Sequence, residues 1–237
     1  DDSWKQPDRA MLDLVNFEST DLSFSSFTCV FMRQANLNGA KLYGVRFTGA
    51  DLRDTHFLGS DFGGLINDIH RKPFTDFSFS DLRKADLSDP IPTDNISVDP
   101  YGQYLNETSK VGAWFIGADL RGAKLGRKVL GIQDSNDIHA FEFALENLKL
   151  YAQWDENTVF PPEIATALHQ WKSTLRSDAE QLQRWQYLYT IYLDTFGEER
   201  SARLQSYLTL LNNTDNVSNN GQTSSISDQV CRKSLSI

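Results

Sequence analysis

The sequence predicts a mainly β solenoid that ends in an α-helical extension, and three observations carry that expectation. An apolar residue recurs at every fifth position: Leu12, Phe17, Leu22, Phe27, Met32, Leu37, Leu42, Phe47, Leu52, Phe57 and Phe62. A small or β-branched residue stands two places before each of these centres, from Ala10 and Val15 to Thr55 and Ser60. From about Asp137 the apolar spacing changes to the three-four rhythm of helices.

A period of five fits neither a helix, at 3.6, nor a strand, at 2, so two inward positions per five residues imply stacked coils with frequent corners. Glycine follows two residues after several centres, at Gly39, Gly44, Gly49, Gly59 and Gly64, where a tight corner is expected to exclude a large side chain. The array continues with Phe77, Leu82 and Leu87, preceded at the same offset by Thr75, Ser80 and Ala85. Phe62 to Phe77 keeps the phase, so 63–73 reads as an irregular, degenerate coil. After Asp89 the phase is lost, and it returns in a new frame at Phe115, Leu120, Leu125 and Leu130. The repeat region therefore spans 10–132, with an inserted loop at 90–110.

Ala35-Asn36-Leu37-Asn38-Gly39, Ala50-Asp51-Leu52-Arg53-Asp54 and Ala118-Asp119-Leu120-Arg121-Gly122 resemble the A-(D/N)-L-X-X consensus of the pentapeptide-repeat family. The resemblance implies a right-handed quadrilateral β-helix in which four pentapeptides make one coil and the central Leu or Phe stacks inside. About four to five coils are expected, a rod roughly 20 Å long at sheet spacing. Its terminal coils expose apolar side chains and strand edges, so they need caps.

The tail is the expected source of one cap. Asp137 is placed to N-cap a helix whose stripe is Ile138, Phe141, Leu145 and Leu148. Pro161-Pro162 precedes a helix-compatible run from Glu163 to Arg176. Ser177 and Glu180 form a capping box before Leu182, Trp185, Tyr189, Tyr192 and Phe196, with Gly197 to stop that helix. A last helix from about Glu198 to Leu211 completes a hairpin, so that 133–212 is helical cap and hairpin and 213–237 a polar tail.

The chemistry-bearing residues form no reactive constellation. The histidines His56, His70, His139 and His169 are scattered, with no zinc or calcium spacing, P-loop, dinucleotide fingerprint or nucleophile elbow beside them. No catalytic, cofactor-binding or metal residue is expected. Asp51, Asp61, Asp81, Asp86 and Asp119 recur because the repeat prefers Asp or Asn before its centre. The two cysteines, Cys29 and Cys231, lie far apart, and no disulfide framework is expected. Four glycosylation sequons, at Asn95, Asn106, Asn212 and Asn216, carry little weight in a chain this rich in Asn, Ser and Thr.

Proline with exposed aromatics suits a recognition loop, which the insertion offers with Pro90, Pro92, Pro100, Tyr101 and Tyr104. The candidate interaction residues are Tyr101, Tyr104, Trp114, Trp185, Tyr189 and Tyr192; a functionless loop and a self-packed aromatic stripe are the bland alternatives. No apolar run is long enough to span a membrane, and the start lacks a leader-like segment. The chain begins Asp1-Asp2-Ser3, which is compatible with a cleaved leader, an upstream domain or a trimmed chain. Its compartment stays open, with cytoplasm and thylakoid lumen or periphery as the sites that the resemblance implies.

Two functions compete. The first is a non-catalytic protein–protein interaction or scaffold module, an accessory or assembly subunit of a larger complex, with oligomerisation through the tail; the resemblance implies a photosynthetic complex. The second, implied by the same resemblance, is a DNA mimic that binds gyrase or topoisomerase and confers resistance. The net charge is −9, but residues 10–62 sum to −2, 74–89 to −2 and 111–132 to +3, while 133–212 hold twelve acidic against six basic residues. A DNA mimic needs its negative charge along the rod, and this rod is nearly neutral. The absence of a basic stripe also argues against direct nucleic-acid binding. An enzyme in the tail or a targeting fragment of a larger protein ranks third.

Overall fold

The computed structural model describes residues 9–62, 74–89, 112–132 and 138–169. Parallel bridges join residues twenty apart in its first rungs, so four pentapeptides close one rung. On the first face Met11 pairs with Phe31, Phe31 with Asp51, Asp51 with Asp81, Asp81 with Asp119, and Asp119 with Gln153. The second face runs Asn16, Asn36, His56, Asp86, Lys124 and Val159 and contains β1 (Asp86–Leu87) and β2 (Lys124–Leu125). The third face pairs Asp21, Lys41 and Asp61, and the fourth Ser26, Arg46, Asp76 and Trp114.

Most pentapeptides turn a corner by one bond from the N–H three places after a centre to that centre's carbonyl, as from Ala40 to Leu37 at 3.0 Å. The residue two places after the centre takes a positive φ, and Gly39 at +66° and Gly49 at +66° adopt it without a Cβ penalty. Leu14, Ser19, Phe24, Cys29 and Gln34 adopt the same conformation at 55–63°. Leu14 and Phe24 are each 71% exposed, so the corner constrains the backbone and not, as expected from the sequence, the size of the side chain.

Inside, the centres stack in columns. Phe27, Phe47, Phe77 and Phe115 lie ring on ring along the fourth face, with centroids 5.5, 5.1 and 5.7 Å apart and interplanar angles of 15°, 6° and 6°. Ser and Thr two places before a centre satisfy carbonyls of the stack: Thr55 Oγ1 donates to Met32 O at 2.7 Å and Ser60 Oγ to Leu37 O at 2.6 Å. Asp or Asn one place before a centre accepts from the N–H two residues on, as Asp76 does from Ser78 at 2.9 Å. That bond gives the repeat's preference its physical cause.

Both breaks in the described rungs resume on the fourth face. Lys41 pairs with Asp61 and Arg46 with Asp76, which puts Phe62 and Phe77 on adjacent faces. The fifteen-residue gap thus advances the rod by one face, whereas a degenerate coil would advance it by three. Thr75 Oγ1 closes the join, donating to Phe62 O at 2.9 Å and Leu42 O at 2.7 Å. The described rungs next break after Asp89, at the end of the second face, and resume on the fourth at Trp114. Among the described residues the third-face ladder stops at Asp61.

A helix covers the far end. The helix α1 (Ile138–Glu146) continues into a π-helical turn, Asn147–Tyr151. Phe141, Ala144, Leu145 and Leu148 pack on the core, while Ile138, expected in that stripe, is 67% exposed at the helix start. Residues 151–160, which the sequence places in the helical region, return to the rod: Leu120 N–H donates to Gln153 O at 2.7 Å and Leu125 N–H to Val159 O at 2.9 Å. The helix α2 (Pro162–Ala167) follows with Pro161 before it, buries Ile164, and is tied back by an Arg127–Glu163 ion pair at 2.9 Å. Asp137 and the expected hairpin from Ser177 to Leu211 lie outside the described residues.

Candidate interaction surfaces

Of the aromatic candidates, Trp114 alone falls among the described residues; Tyr101, Tyr104, Trp185, Tyr189 and Tyr192 lie outside them. Trp114 is half-buried and meets Phe143 of α1 edge-on at 5.2 Å and Phe74 at 6.1 Å. It joins the cap helix to the fourth face.

The first face carries the densest charge. Asp51-Leu52-Arg53, Asp81-Leu82-Arg83 and Asp119-Leu120-Arg121 place a carboxylate and a guanidinium on the same side of each rung, two residues apart. Each arginine grips its own aspartate: Arg53 donates to Asp51 at 2.8 and 2.6 Å, Arg83 to Asp81 at 2.8 and 2.6 Å, and Arg121 to Asp119 at 2.9 and 2.6 Å. Each also reaches the next rung, with Arg53 Nε 3.7 Å from Asp81 and Arg83 Nε 3.7 Å from Asp119. Asp13 and Arg33 extend the ladder to the first rung.

The three aspartates are buried, and their arginines are about a third exposed. Burial pushes the Asp81 carboxyl above its ordinary value despite Arg83. The hydrogen bonds to Asp81 and Asp119 hold the Arg83 and Arg121 guanidinium groups more firmly protonated than usual. For the less buried Asp13, burial alone acts upward, but the Arg33 bonds and charge outweigh it and leave its carboxyl below the usual range. The sequence reading assigned these aspartates to the repeat alone and missed the arginines two places on. The recurring D-L-R triplet was the available signal.

Beside the ladder's first rungs lies an open groove of about 400 Å³ lined by Asp13, Leu14, Arg33, Gln34, Arg53 and Asp54. At the rod's first end, Arg9 lies over the Phe31 ring at 3.9 Å and donates to Cys29 O at 2.8 Å and Gly49 O at 3.0 Å. Cys29 is disulfide-bonded, contrary to the expectation from sequence. His56 is exposed on the second face, and no cluster of three metal-ligating side chains exists among the described residues. No described helix is long and apolar enough to cross a membrane.

The described residues thus form a parallel β solenoid with a five-residue corner repeat and charged, laddered faces. Residues 15–64 match the family model of pentapeptide repeats, in eight copies, and the chain carries a pentapeptide-repeat domain. Similar solved structures are also pentapeptide-repeat proteins. HetL, involved in heterocyst differentiation regulation in Nostoc sp. strain PCC 7120, is 24% identical with a TM-score of 0.35 over 48% of this chain and 40% of its own. QnrB1, a plasmid-mediated fluoroquinolone resistance protein, is 21% identical with a TM-score of 0.35 over 50% and 44%. A protein of the Arabidopsis thaliana thylakoid lumen is 24% identical with a TM-score of 0.26 over 49% and 66%. The chain thus spans less than two thirds of each of these structures. No curated protein matches it in sequence.

Proposed function

We propose that this protein is a non-catalytic protein–protein interaction module, an accessory or assembly subunit whose rod holds recognition segments in register. The observation that carries this reading is the position of the departures. The described rungs break after Phe62 and after Asp89 and resume both times on the fourth face, at Asp76 and Trp114 of successive rungs. The two intervening segments, one of them holding Tyr101 and Tyr104, thus both end on the fourth face of neighbouring rungs, on a scaffold whose stacked core resists deformation.

The pairing of Asp51, Asp81 and Asp119 with arginine weighs against a DNA mimic, because a neutralised ladder presents no negative stripe. Affinity capture from the native source is the test, with the wild-type chain beside a variant in which Tyr101 and Tyr104 are both alanine. Recovery of a partner with the wild type and its loss with the variant is the expected result. Recovery of the wild type only as a free monomer would overturn the reading. A photosynthetic partner is the finer expectation, read from the identity of what is captured. Inhibition of gyrase supercoiling at micromolar protein would instead favour the resistance function.

A further inference from the structure

The charge on the first face is sorted by depth. In the rungs of Asp51, Asp81 and Asp119 the carboxylates are at most 4% exposed, while about a third of each arginine is exposed, so a partner meets guanidinium there. Arg83 holds Asp81, and Arg121 holds Asp119, by the Nε–Nη2 edge, which leaves the Nη1 amine of each turned away from its carboxylate. The pairing also fixes each guanidinium plane in advance, so little side-chain freedom is lost on binding. Lys84 adds a cation. It is exposed at the corner after Arg83, and its Cγ lies 3.5 Å from where a Cβ on Gly122 would stand, one rung on. The neighbouring carboxylates are engaged: Asp86 holds Ser88 and Lys124, and Asp155 accepts from the N–H groups of Gly122 and Asn157. Asp54, exposed at the corner after Arg53, ends the stripe on its lower side.

We infer that the first face binds an acidic α-helix of a partner protein, laid along the rod, through Arg53, Arg83, Lys84 and Arg121. The spacing selects the partner's form. Successive rungs lie about 4.8 Å apart, so Arg53 and Arg121 are separated by about 9.6 Å along the axis. Residues three or four apart on a helix rise about 4.5–6 Å, and residues seven apart about 10.5 Å. Carboxylates at i, i+3 or i+4, and i+7 therefore meet the three guanidinium groups in step. An extended strand repeats one side only every 6.4–6.8 Å or about that, and falls out of step within two rungs. This surface is separate from the segment that holds Tyr101 and Tyr104.

The test uses the full chain and fluorescence anisotropy at low salt. The probe is a labelled, alanine-based helical peptide of about twenty residues with glutamates at i, i+4 and i+7. A second peptide of the same composition spreads its glutamates round the helix. The striped peptide is expected to bind about tenfold more tightly than the second. Lys84→Glu, which leaves the Asp–Arg pairs intact, is expected to weaken binding about fivefold. The paired variant Asp81→Asn, Arg83→Gln, which removes a guanidinium without stranding a carboxylate, is expected to weaken it as well, and Lys41→Glu on the third face to leave it unchanged. No binding of the striped peptide, equal binding of the two peptides, or unchanged affinity in Lys84→Glu would overturn the inference. So would duplex DNA competing as well as the striped peptide does, since the face would then select charge and not a helix.

Discussion

Asn147 stands in for a strand: its side-chain Nδ2 donates to Ala113 O at 3.1 Å, and its Oδ1 accepts from Phe115 N at 3.4 Å. These are the two bonds that another rung's backbone would make on the fourth face, as Asp76 makes them to Val45 and Phe47 lower down. The side chain is almost fully buried, so no water replaces it. Asn147→Asp keeps the shape but loses the donor and sets a carboxylate against a carbonyl. A loss of about 1–3 kcal/mol is expected in urea denaturation, with Asn147→Leu at least as costly. Wild-type stability in either variant would refute the role.

Arg83→Ala removes the hydrogen-bonding partner of a buried carboxylate, Asp81, that is 1% exposed, leaving it Arg53 Nε at 3.7 Å. Breaking one side of such a pair costs roughly 3–5 kcal/mol when both groups are buried. The partial exposure of Arg83 lowers the expected cost to about 2–3 kcal/mol. The double variant Arg83→Ala, Asp81→Leu should recover part of that loss in the same assay.

Two corner glycines separate backbone from packing effects. Gly117 has φ +68°, and a Cβ there would lie 2.6 Å from the Phe79 ring; at Gly122, φ +69°, the nearest atom is Lys84 Cγ at 3.5 Å. Gly122→Ala should cost only the left-handed penalty, about 1–2 kcal/mol. Gly117→Ala adds a clash with a buried ring and should cost more, about 2–4 kcal/mol. Thermal midpoints of the two variants in the opposite order would contradict this assignment.

Position along the phenylalanine stack sets the value of each ring. Phe77 lies between Phe47 and Phe115 and is fully buried, so Phe77→Ala should cost about 3–5 kcal/mol. Phe17, in the first rung, is only partly buried, and its alanine variant should cost less than half as much. Equal losses in denaturant titration would mean that the first rung is as well covered as the middle.

Acid should weaken the second face. Burial alone would raise the Asp86 carboxyl, but its bonds to Ser88 and Lys124 outweigh burial and hold it below its ordinary value of 3.8. A carboxyl lowered on folding adds stability above its unfolded value, and that contribution fades as pH falls through the folded one. The stability gap between wild type and Asp86→Asn should therefore be present at neutral pH and shrink below about pH 4. Asp81 acts with the opposite sign: its raised value means that protonation favours the folded state, so Asp81→Asn should make the acid transition steeper. Urea midpoints between pH 7 and pH 3 read both.

The inward pattern was legible because every centre repeats the same side-chain demand every five residues, and the described centres from Leu12 to Leu125 all lie in or against the core. The face on which Phe77 lands was not legible. Phase within a period of five says nothing about position within a rung of twenty. The return of residues 151–160 was hidden for a related reason: Gln153 and Val159 are six apart, and the extra residue breaks the repeat that would have announced them. Asn147 gave no signal, since a lone amide substituting for backbone has no periodicity. Five of the six candidate interaction residues were chosen for aromatic character in segments outside the described residues, and Trp114 packs between Phe74 and Phe143.

The unequal ladders have a consequence for how such a chain can lengthen. Faces one and two are bridged from Met11 to Gln153 and from Asn16 to Val159, so residues added within them would break bonds on both sides. Beyond Asp61 the third face carries no bridge among the described residues, and both breaks in the described rungs fall next to it. The solenoid has a spine and a seam, and a lineage that acquires new sequence can do so at the seam without refolding the spine.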